Sequence, residues 1–236
     1  MACLLYVSRL PFSVSRMKAI GIFGGAFAPF HNGHLRAAIE ARERLQLTEV
    51  RLIPTAQAPH RRDSHVSPQR RLEWIKLALR REKGLIADDR ELLRGGPSFT
   101  VDTLTELRQQ FAKAPLVLLM GADAFAHLHT WHRWREILDL AHISVISRAG
   151  SRLEPVPDSA AELAGRQSAR SGDLLDTPAG RWLRLDLPLL DISSTRIRRL
   201  LKARQSVRGL LPDAILNHMT AADIAALTQD EDATTH

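Results

Sequence analysis

The 236-residue sequence has one cysteine, Cys3, and no run of about 18 uninterrupted apolar residues. A single cysteine cannot form an internal disulfide, as expected in a reducing compartment, and it excludes a zinc site built from cysteines. Because no long apolar run is present, no segment is predicted to span a membrane, and we expect a soluble protein. The motifs GxGxxG and GxxxxGK[ST] are also absent, which argues against a dinucleotide-binding dehydrogenase and a P-loop NTPase.

The composition is that of a globular chain, with 44% apolar and 25% charged residues. The length predicts one large α/β domain, or one domain with an appendage, rather than an array of small modules. Lysine and arginine number 33 against 26 acids, a net charge of +7. This excess suggests an anionic partner, either nucleic acid or a phosphorylated small molecule, although solvated arginine-rich helix faces explain it equally well.

The chain divides into three parts by composition. Residues 1–16 contain no acid, and we interpret them as a disordered or artefactual extension rather than a targeting segment. Residues 17–228 are predicted to form one domain, in which 149–180 lack a regular pattern and form an irregular insertion. Residues 229–236 are polar and acidic and are predicted to be a frayed tail.

Within the main part, apolar runs alternate with segments of helical periodicity. Strands are predicted over 18–23, 49–54, 86–88, 115–120 and 143–147, with a regular pattern resuming at 182–186. Helices are predicted over 33–47, 68–81, 100–111, 131–140, 195–202 and 212–219. This order predicts a doubly wound, Rossmann-like α/β fold, in which a parallel sheet carries helices on both faces and a small helical segment follows at the C-terminus.

The strongest chemical signal is GGAFAPFHNGH, residues 24–34. Glycines directly after a strand let the backbone approach a ligand, and the following helix start offers free N–H groups to phosphate. His31 and His34 lie three residues apart at that helix start, so both imidazoles can face one anion. An isolated histidine there is more often a cap or a packing residue, but the Gly-Gly turn and Gly33 between the two histidines favour an anion site.

A second segment, ISSTRIR at 192–198, precedes another predicted helix. Ser193, Ser194 and Thr195 can cap that helix while their hydroxyls and backbone N–H groups bind phosphate oxygens. Arg198, one turn further, can add a charged fork. Taken alone, the pattern is equally typical of an ordinary cap followed by a solvated arginine.

The two segments resemble the GxFxPxHxGH and ISSTxIR signatures of the nucleotidylyltransferase superfamily, in the same order. Further segments are similar to those of the nicotinate-nucleotide adenylyltransferase family: GPSFTVDTL at 96–104, GAD at 121–123, TWHRW at 130–134 and APHR at 58–61. The resemblance extends over about 18–219. Three positions depart from the family pattern: Ala28 replaces an acid, Arg61 replaces lysine, and Phe99 replaces tyrosine.

The resemblance implies transfer of an adenylyl group from ATP to nicotinate mononucleotide, which yields nicotinate adenine dinucleotide and pyrophosphate in NAD biosynthesis. It implies that Mg²⁺ is carried mainly with ATP. No metal ligand is assigned, because the sequence has no carboxylate cluster with ligand spacing. The implied catalytic residues are His31, His34 and Arg198. The implied ATP-binding residues are Gly24, Gly25, Phe27, His34, Gly121, Asp123, Ser193, Ser194, Thr195 and Arg198. The implied nicotinate mononucleotide-binding residues are His60, Arg61, Ser98, Phe99, Thr100, Trp131 and Arg148.

Several of these residues have simpler explanations. Trp131 can stack on a pyridine ring or belong to the core, Asp123 can be a helix cap, and Arg61 and Arg148 can be solvated. Other acceptors, nicotinamide mononucleotide or pantetheine phosphate, remain open, as does a non-catalytic nucleotide-binding or RNA-binding protein. The expected partners are the two nucleotides in the cytoplasm, with neither nucleic acid nor a membrane involved.

Overall fold

The computed structural model describes residues 18–59, 64–148 and 157–232. The strands are β1 (Ile20–Gly25), β2 (Glu49–Pro54), β3 (Leu85–Ala87), β4 (Leu116–Gly121), β5 (His142–Arg148) and β6 (Trp182–Leu187). The helices are α1 (Asn32–Arg44), α2 (Pro68–Leu79), α3 (Arg90–Arg94), α4 (Thr100–Gln110), α5 (Ala122–Ala126), α6 (Trp134–Leu140), α7 (Pro157–Leu163), α8 (Ser194–Lys202), α9 (Asp213–Leu216) and α10 (Ala221–Asp232). Short 3₁₀ turns occupy Leu128–Thr130 and Ser171–Leu175.

The six strands form one parallel sheet in the order β3-β2-β1-β4-β5-β6. In the register of the central strands, Ile20 lies opposite Glu49 on one side and Leu116 on the other. The chain winds outward from β1 in one direction and returns to start β4 on its other side. In open sheets of this kind, ligands bind where the winding reverses, at the carboxyl ends of the strands, and here that point lies between β1 and β4.

Apolar side chains cover the sheet on both faces, which is why the central strands read as continuous apolar runs. One cluster packs the sheet against α1, α2, α8, α9 and α10, with Trp74 of α2 and Ile197 of α8 among its buried members. The other packs it against α4, α5, α6 and α7, through residues that include Leu104 and Ile137. The predicted doubly wound fold is confirmed.

The segment predicted as one helix over 131–140 contains a break. A 3₁₀ turn ends at Thr130, and α6 begins only at Trp134. Arg133, the residue between them, has φ of 50° and ψ of 38°, a left-handed conformation that no helix can continue through. The helical prediction is therefore wrong for 131–133.

The chain ends also differ from expectation. Residues 229–232 of the predicted tail continue α10, and the irregular insertion contains α7 and the second 3₁₀ turn. The predicted N-terminal extension at 1–16, and residues 149–156 of the insertion, lie outside the described residues. None of the described helices has the length and apolar character needed to cross a bilayer.

Candidate active site

His31 and His34 form a reciprocal cap at the start of α1. The Nδ1 atom of His31 accepts a hydrogen bond from the backbone N–H of His34, and the Nδ1 atom of His34 accepts one from the N–H of His31, both at 3.3 Å. A neutral imidazole whose Nδ1 accepts a hydrogen bond carries its proton on Nε2. The cap therefore leaves each ring with an Nε2–H group that can donate to a ligand.

The surroundings of the two rings keep them uncharged. The rings stack with centroids 3.6 Å apart, so protonation of one ring disfavours protonation of the other. Phe30 stacks on His34 at 5.5 Å, and Phe27 contacts it edge-on at 5.0 Å. Burial lowers the pKa of His31 from 6.5 to about 4, and burial together with His31 lowers the pKa of His34 well below its usual range. Both rings are neutral hydrogen-bond donors near neutral pH.

The second segment is hydrogen-bonded to the loop that precedes the histidines. The hydroxyl of Ser194 donates to the carbonyl of Pro29 at 3.1 Å. The guanidinium of Arg198 donates to the carbonyl of Ala28 and to the Thr195 hydroxyl, both at 3.1 Å. Because the only hydroxyl proton of Ser194 is taken by Pro29, a phosphate contact from this residue would use its backbone N–H. The two sequence motifs thus form one structural unit.

Close packing between the motifs explains Gly33. A Cβ atom added at Gly33 would lie 3.0 Å from the His31 ring and 3.4 Å from the carbonyl oxygen of Ile192. Asn32 fastens the same helix start to a third segment, because its backbone N–H donates to Leu210 at 2.9 Å and its side chain donates to Gly209 at 3.0 Å. The start of α1 is held on several sides.

A cavity of about 730 Å³ opens at the reversal point between β1 and β4. Its walls include the carboxyl ends of both strands, among them Gly24, Gly25 and Gly121. The opposite wall includes Ser98, Phe99, Thr100 and Trp131. The structure therefore brings together four nicotinate mononucleotide candidates and three ATP candidates from distant parts of the sequence.

The nicotinate-side candidates are held by neighbouring loops. The Ser98 hydroxyl accepts the N–H groups of Ala56 at 2.9 Å and Gln57 at 3.3 Å. The Phe99 ring packs against the His132 ring, with centroids 4.3 Å apart. Because phenylalanine stands here in place of the family's tyrosine, this residue offers no hydroxyl. Trp131 lines the cavity and also packs against the core. Its two proposed roles, stacking on a pyridine ring and packing in the core, are therefore compatible.

Other candidates lie elsewhere. Arg148 is not among the cavity-lining residues, and its exposed guanidinium pairs with Asp191 at 2.6 Å, beside the second motif. Phe27 is 3% exposed, with φ of 49°, so a contact to ATP would come from its backbone. Asp123 is exposed on the first turn of α5, whose cap is Gly121. His60 and Arg61 lie outside the described residues.

Sequence reasoning missed two buried charged residues beside the site. Arg71, 3% exposed on α2, donates to the carbonyl of Ala26 at 2.7 Å and to that of Val66 at 3.1 Å. Glu91, 7% exposed on α3, lines the cavity. Arg71 could have been found, because it shares the inward face of the predicted helix with Trp74 and Ile75 at helical spacing. The short helix α3 gave no periodicity that would mark Glu91.

Within the described ranges, no three histidine, cysteine, aspartate or glutamate side chains come together as a potential metal-binding group. The donors that the two sequence motifs bring together are imidazole N–H groups, helix-start N–H groups and a guanidinium. These groups suit phosphate oxygens rather than a cation.

The fold and this site define a nucleotidyltransferase, and comparison with known proteins agrees. The family model described as Cytidylyltransferase-like matches residues 22–200. A protein of Methylococcus capsulatus named "Probable nicotinate-nucleotide adenylyltransferase" is 45% identical over 198 residues, which cover 84% of this chain and 94% of the relative. A Pseudomonas fluorescens protein with the same name is 43% identical over 205 residues, covering 86% and 95%. The chain belongs to the nicotinate-nucleotide adenylyltransferase family.

A solved structure supports the fold independently. The nicotinic acid mononucleotide adenylyltransferase of Plasmodium falciparum, complexed with NaAD, superposes with a TM-score of 0.64. The alignment covers 85% of this chain and 96% of the other, at 14% sequence identity. At that identity the likeness concerns the fold alone.

Proposed function

We propose that this chain joins ATP and nicotinate mononucleotide to give nicotinate adenine dinucleotide and pyrophosphate, a step of NAD biosynthesis in the cytoplasm. The observation that carries the proposal is the pair of neutral, Nε2-protonated histidines next to the cavity at the reversal point of the sheet. Neither histidine is among the residues that line the cavity, but the His34 ring lies edge-on to Phe23, which does line it. The names of the relatives supply the identity of the acceptor.

In the proposed reaction, the 5′-phosphate of nicotinate mononucleotide attacks the α-phosphorus of ATP, and pyrophosphate leaves. The attacking phosphate is already ionised near neutral pH, so the reaction needs no general base. Catalysis then consists of positioning and of hydrogen bonding to the charge that grows on the transferring and leaving phosphates. His31 and His34 would donate these bonds through Nε2–H.

The second motif is assigned to the β- and γ-phosphates. The first N–H groups of α8 follow Ser193, whose hydroxyl caps the helix by accepting the N–H of Arg196 at 3.2 Å. Arg198 belongs to α8, and its guanidinium donates both to the Ala28 carbonyl in the histidine loop and to the Thr195 hydroxyl at the helix start. It can therefore hold these two segments together. ATP is proposed to enter as its Mg²⁺ complex, in which the cation shields the phosphate oxygens.

The nicotinate ring is assigned to the wall formed by Ser98–Thr100 and Trp131. The start of α4 at Thr100 lies in the cavity wall, and the N–H groups and partial positive charge of a helix start suit a carboxylate. The indole of Trp131 offers an apolar face for the pyridine ring.

The test is a coupled assay of pyrophosphate release with nicotinate mononucleotide, nicotinamide mononucleotide and pantetheine phosphate as alternative acceptors. We expect a clear preference for nicotinate mononucleotide, and a loss of about 10²-fold in kcat for His34→Ala, the typical cost of removing one preorganised donor. His218→Ala, which changes an exposed histidine on the C-terminal side, is the matched control. Equal rates with all acceptors would refute the assigned substrate, and normal turnover by His34→Ala would refute the catalytic assignment.

A further inference from the structure

Glu91 occupies an unusual position for a carboxyl group, because it lines the cavity and is only 7% exposed. Its Oε1 atom accepts a hydrogen bond from the hydroxyl of Thr103 at 2.8 Å, and Thr103 itself is 3% exposed. The same hydroxyl accepts from Arg94 at 3.1 Å, and Arg94 also pairs with Glu106 at 2.9 Å. The buried carboxyl thus connects α3 to the first turns of α4.

The carboxyl also interacts with Ser98, in the turn before α4. The Ser98 hydroxyl accepts two backbone N–H groups, those of Ala56 and Gln57, which occupy its two lone pairs. Ser98 and Glu91 line the same cavity, and the Ser98 hydroxyl acts to lower the pKa of the Glu91 carboxyl. The N–H of Ser98 donates in turn to the carbonyl of Gln57 at 2.9 Å. Glu91 therefore adjoins a turn that Ser98 fastens to the loop after β2.

One carboxyl oxygen of Glu91 is left over. Among the residues that the structure describes, its buried Oε2 atom has no hydrogen-bond partner. Burial raises the pKa of this carboxyl, whereas Ser98, Thr103 and Arg94 act in the opposite direction. A buried acceptor without a donor costs free energy, and a protein retains such a group where its remaining bonds are needed.

We propose that Glu91 is a positioning residue for the nicotinate half of the site, acting through Ser98 and Thr103. Glu91 bonds to Thr103 and adjoins Ser98, whose hydroxyl fastens the turn before α4 to the loop at 56–57. In this way it sets the position of the start of α4, where Thr100 lies in the cavity wall. This inference rests on the proposed function.

The experiment compares the wild-type protein with Glu91→Ala and, in case the alanine variant does not fold, Glu91→Gln, which keeps one acceptor oxygen. Glu106→Gln is the matched control, since Glu106 pairs with the same Arg94 outside the cavity. We expect Glu91→Ala to raise KM for nicotinate mononucleotide about 10-fold or more, the usual effect of losing hydrogen bonds to a charged group. KM for ATP should stay within about twofold, and Glu106→Gln should leave both unchanged.

Action through Ser98 is tested by a double-mutant cycle. Ser98→Ala should raise KM for nicotinate mononucleotide, and adding Glu91→Ala should have little further effect, because the two residues belong to one network. Calorimetry with nicotinate mononucleotide alone measures the same comparison as a dissociation constant. If the wild-type protein shows no turnover, the proposed function is refuted. The dissociation constants of the variants for nicotinate mononucleotide would still show whether Glu91 positions this half of the site.

The results that would overturn the inference are specific. If folded Glu91 variants keep the wild-type KM and dissociation constant for nicotinate mononucleotide, Glu91 does not position this half of the site. If KM rises equally for both substrates while thermal stability falls, its role is only structural. If the effects of Glu91→Ala and Ser98→Ala multiply, the two residues act independently.

Discussion

The neutral state of His31 leads to a stability difference that can be measured without any substrate. The pKa of His31 is lowered from 6.5 to about 4 in the folded protein, so the folded state resists protonation that the unfolded chain accepts. The stabilisation is fully present above about pH 6.5 and is lost as the pH falls toward about pH 4. The full shift corresponds to about 3.4 kcal/mol, of which about 2 kcal/mol is lost by pH 5.

Replacing His31 with asparagine isolates this contribution. Asparagine is a preferred helix cap that can accept the N–H of residue 34, so His31→Asn keeps the cap and removes the titrating group. Urea unfolding at about pH 7.5 and about pH 5 gives the difference in unfolding free energy between wild type and variant at each pH. That difference should move by about 2 kcal/mol in favour of the variant at the lower pH. A difference that is the same at both pH values would show that His31 is not held neutral by the fold.

Three further predictions concern activity. Because the pKa values of both histidines are lowered, kcat/KM should not fall between about pH 6 and pH 8. It should rise near pH 6, where the attacking phosphate loses its second proton. A fall in kcat/KM with rising pH would indicate that the histidines act as imidazolium ions. Gly33→Ala should destabilise the protein by about 1–3 kcal/mol and lower kcat about 10-fold or more, because the new Cβ lies 3.0 Å from the His31 ring. Gly172→Ala, where a Cβ meets nothing within 4 Å, should do neither, and equal behaviour of the two variants would contradict the packing argument. Trp131→Ala should raise KM for nicotinate mononucleotide about 10-fold with KM for ATP nearly unchanged, and equal effects on both would assign Trp131 to the core alone.

The sequence pattern predicts the sheet well because both of its faces are covered. Strand β2 is predicted with its observed bounds, Glu49–Pro54, although Glu49 and Arg51 interrupt its apolar residues. Strand β4, a continuous apolar run buried at five of its six residues, is displaced by only one residue. The short helices α3 and α5 were not predicted. Each has five residues, less than two turns, so hydrophobic periodicity cannot mark it.

Side-chain roles were predictable where a motif carries them and not where three-dimensional contacts decide. The histidine pair follows from its spacing, but its tautomers depend on the reciprocal cap, and its neutrality depends on burial and on the contact between the two rings. The family resemblance places Arg148 among the nicotinate mononucleotide-binding residues as a phosphate clamp, whereas in the structure its guanidinium pairs with Asp191, beside the second motif. Residues at the carboxyl ends of neighbouring parallel strands lie at the same edge of the sheet. Which ligand-binding region each residue faces depends on the loops that follow the strands.

The substitution of alanine for the usual acid at position 28 is explained by how the loop is held. Arg71 binds the carbonyl of Ala26, Arg198 binds the carbonyl of Ala28, and Ser194 binds the carbonyl of Pro29. All three bonds are made to backbone atoms, so they do not depend on the side chain at position 28, which is itself buried. Because α2 and α8 hold the loop on separate sides through these carbonyls, the direction of the histidine-bearing helix start does not require a carboxylate there. In this structure the loop that precedes His31 and His34 is therefore held without a carboxylate at position 28.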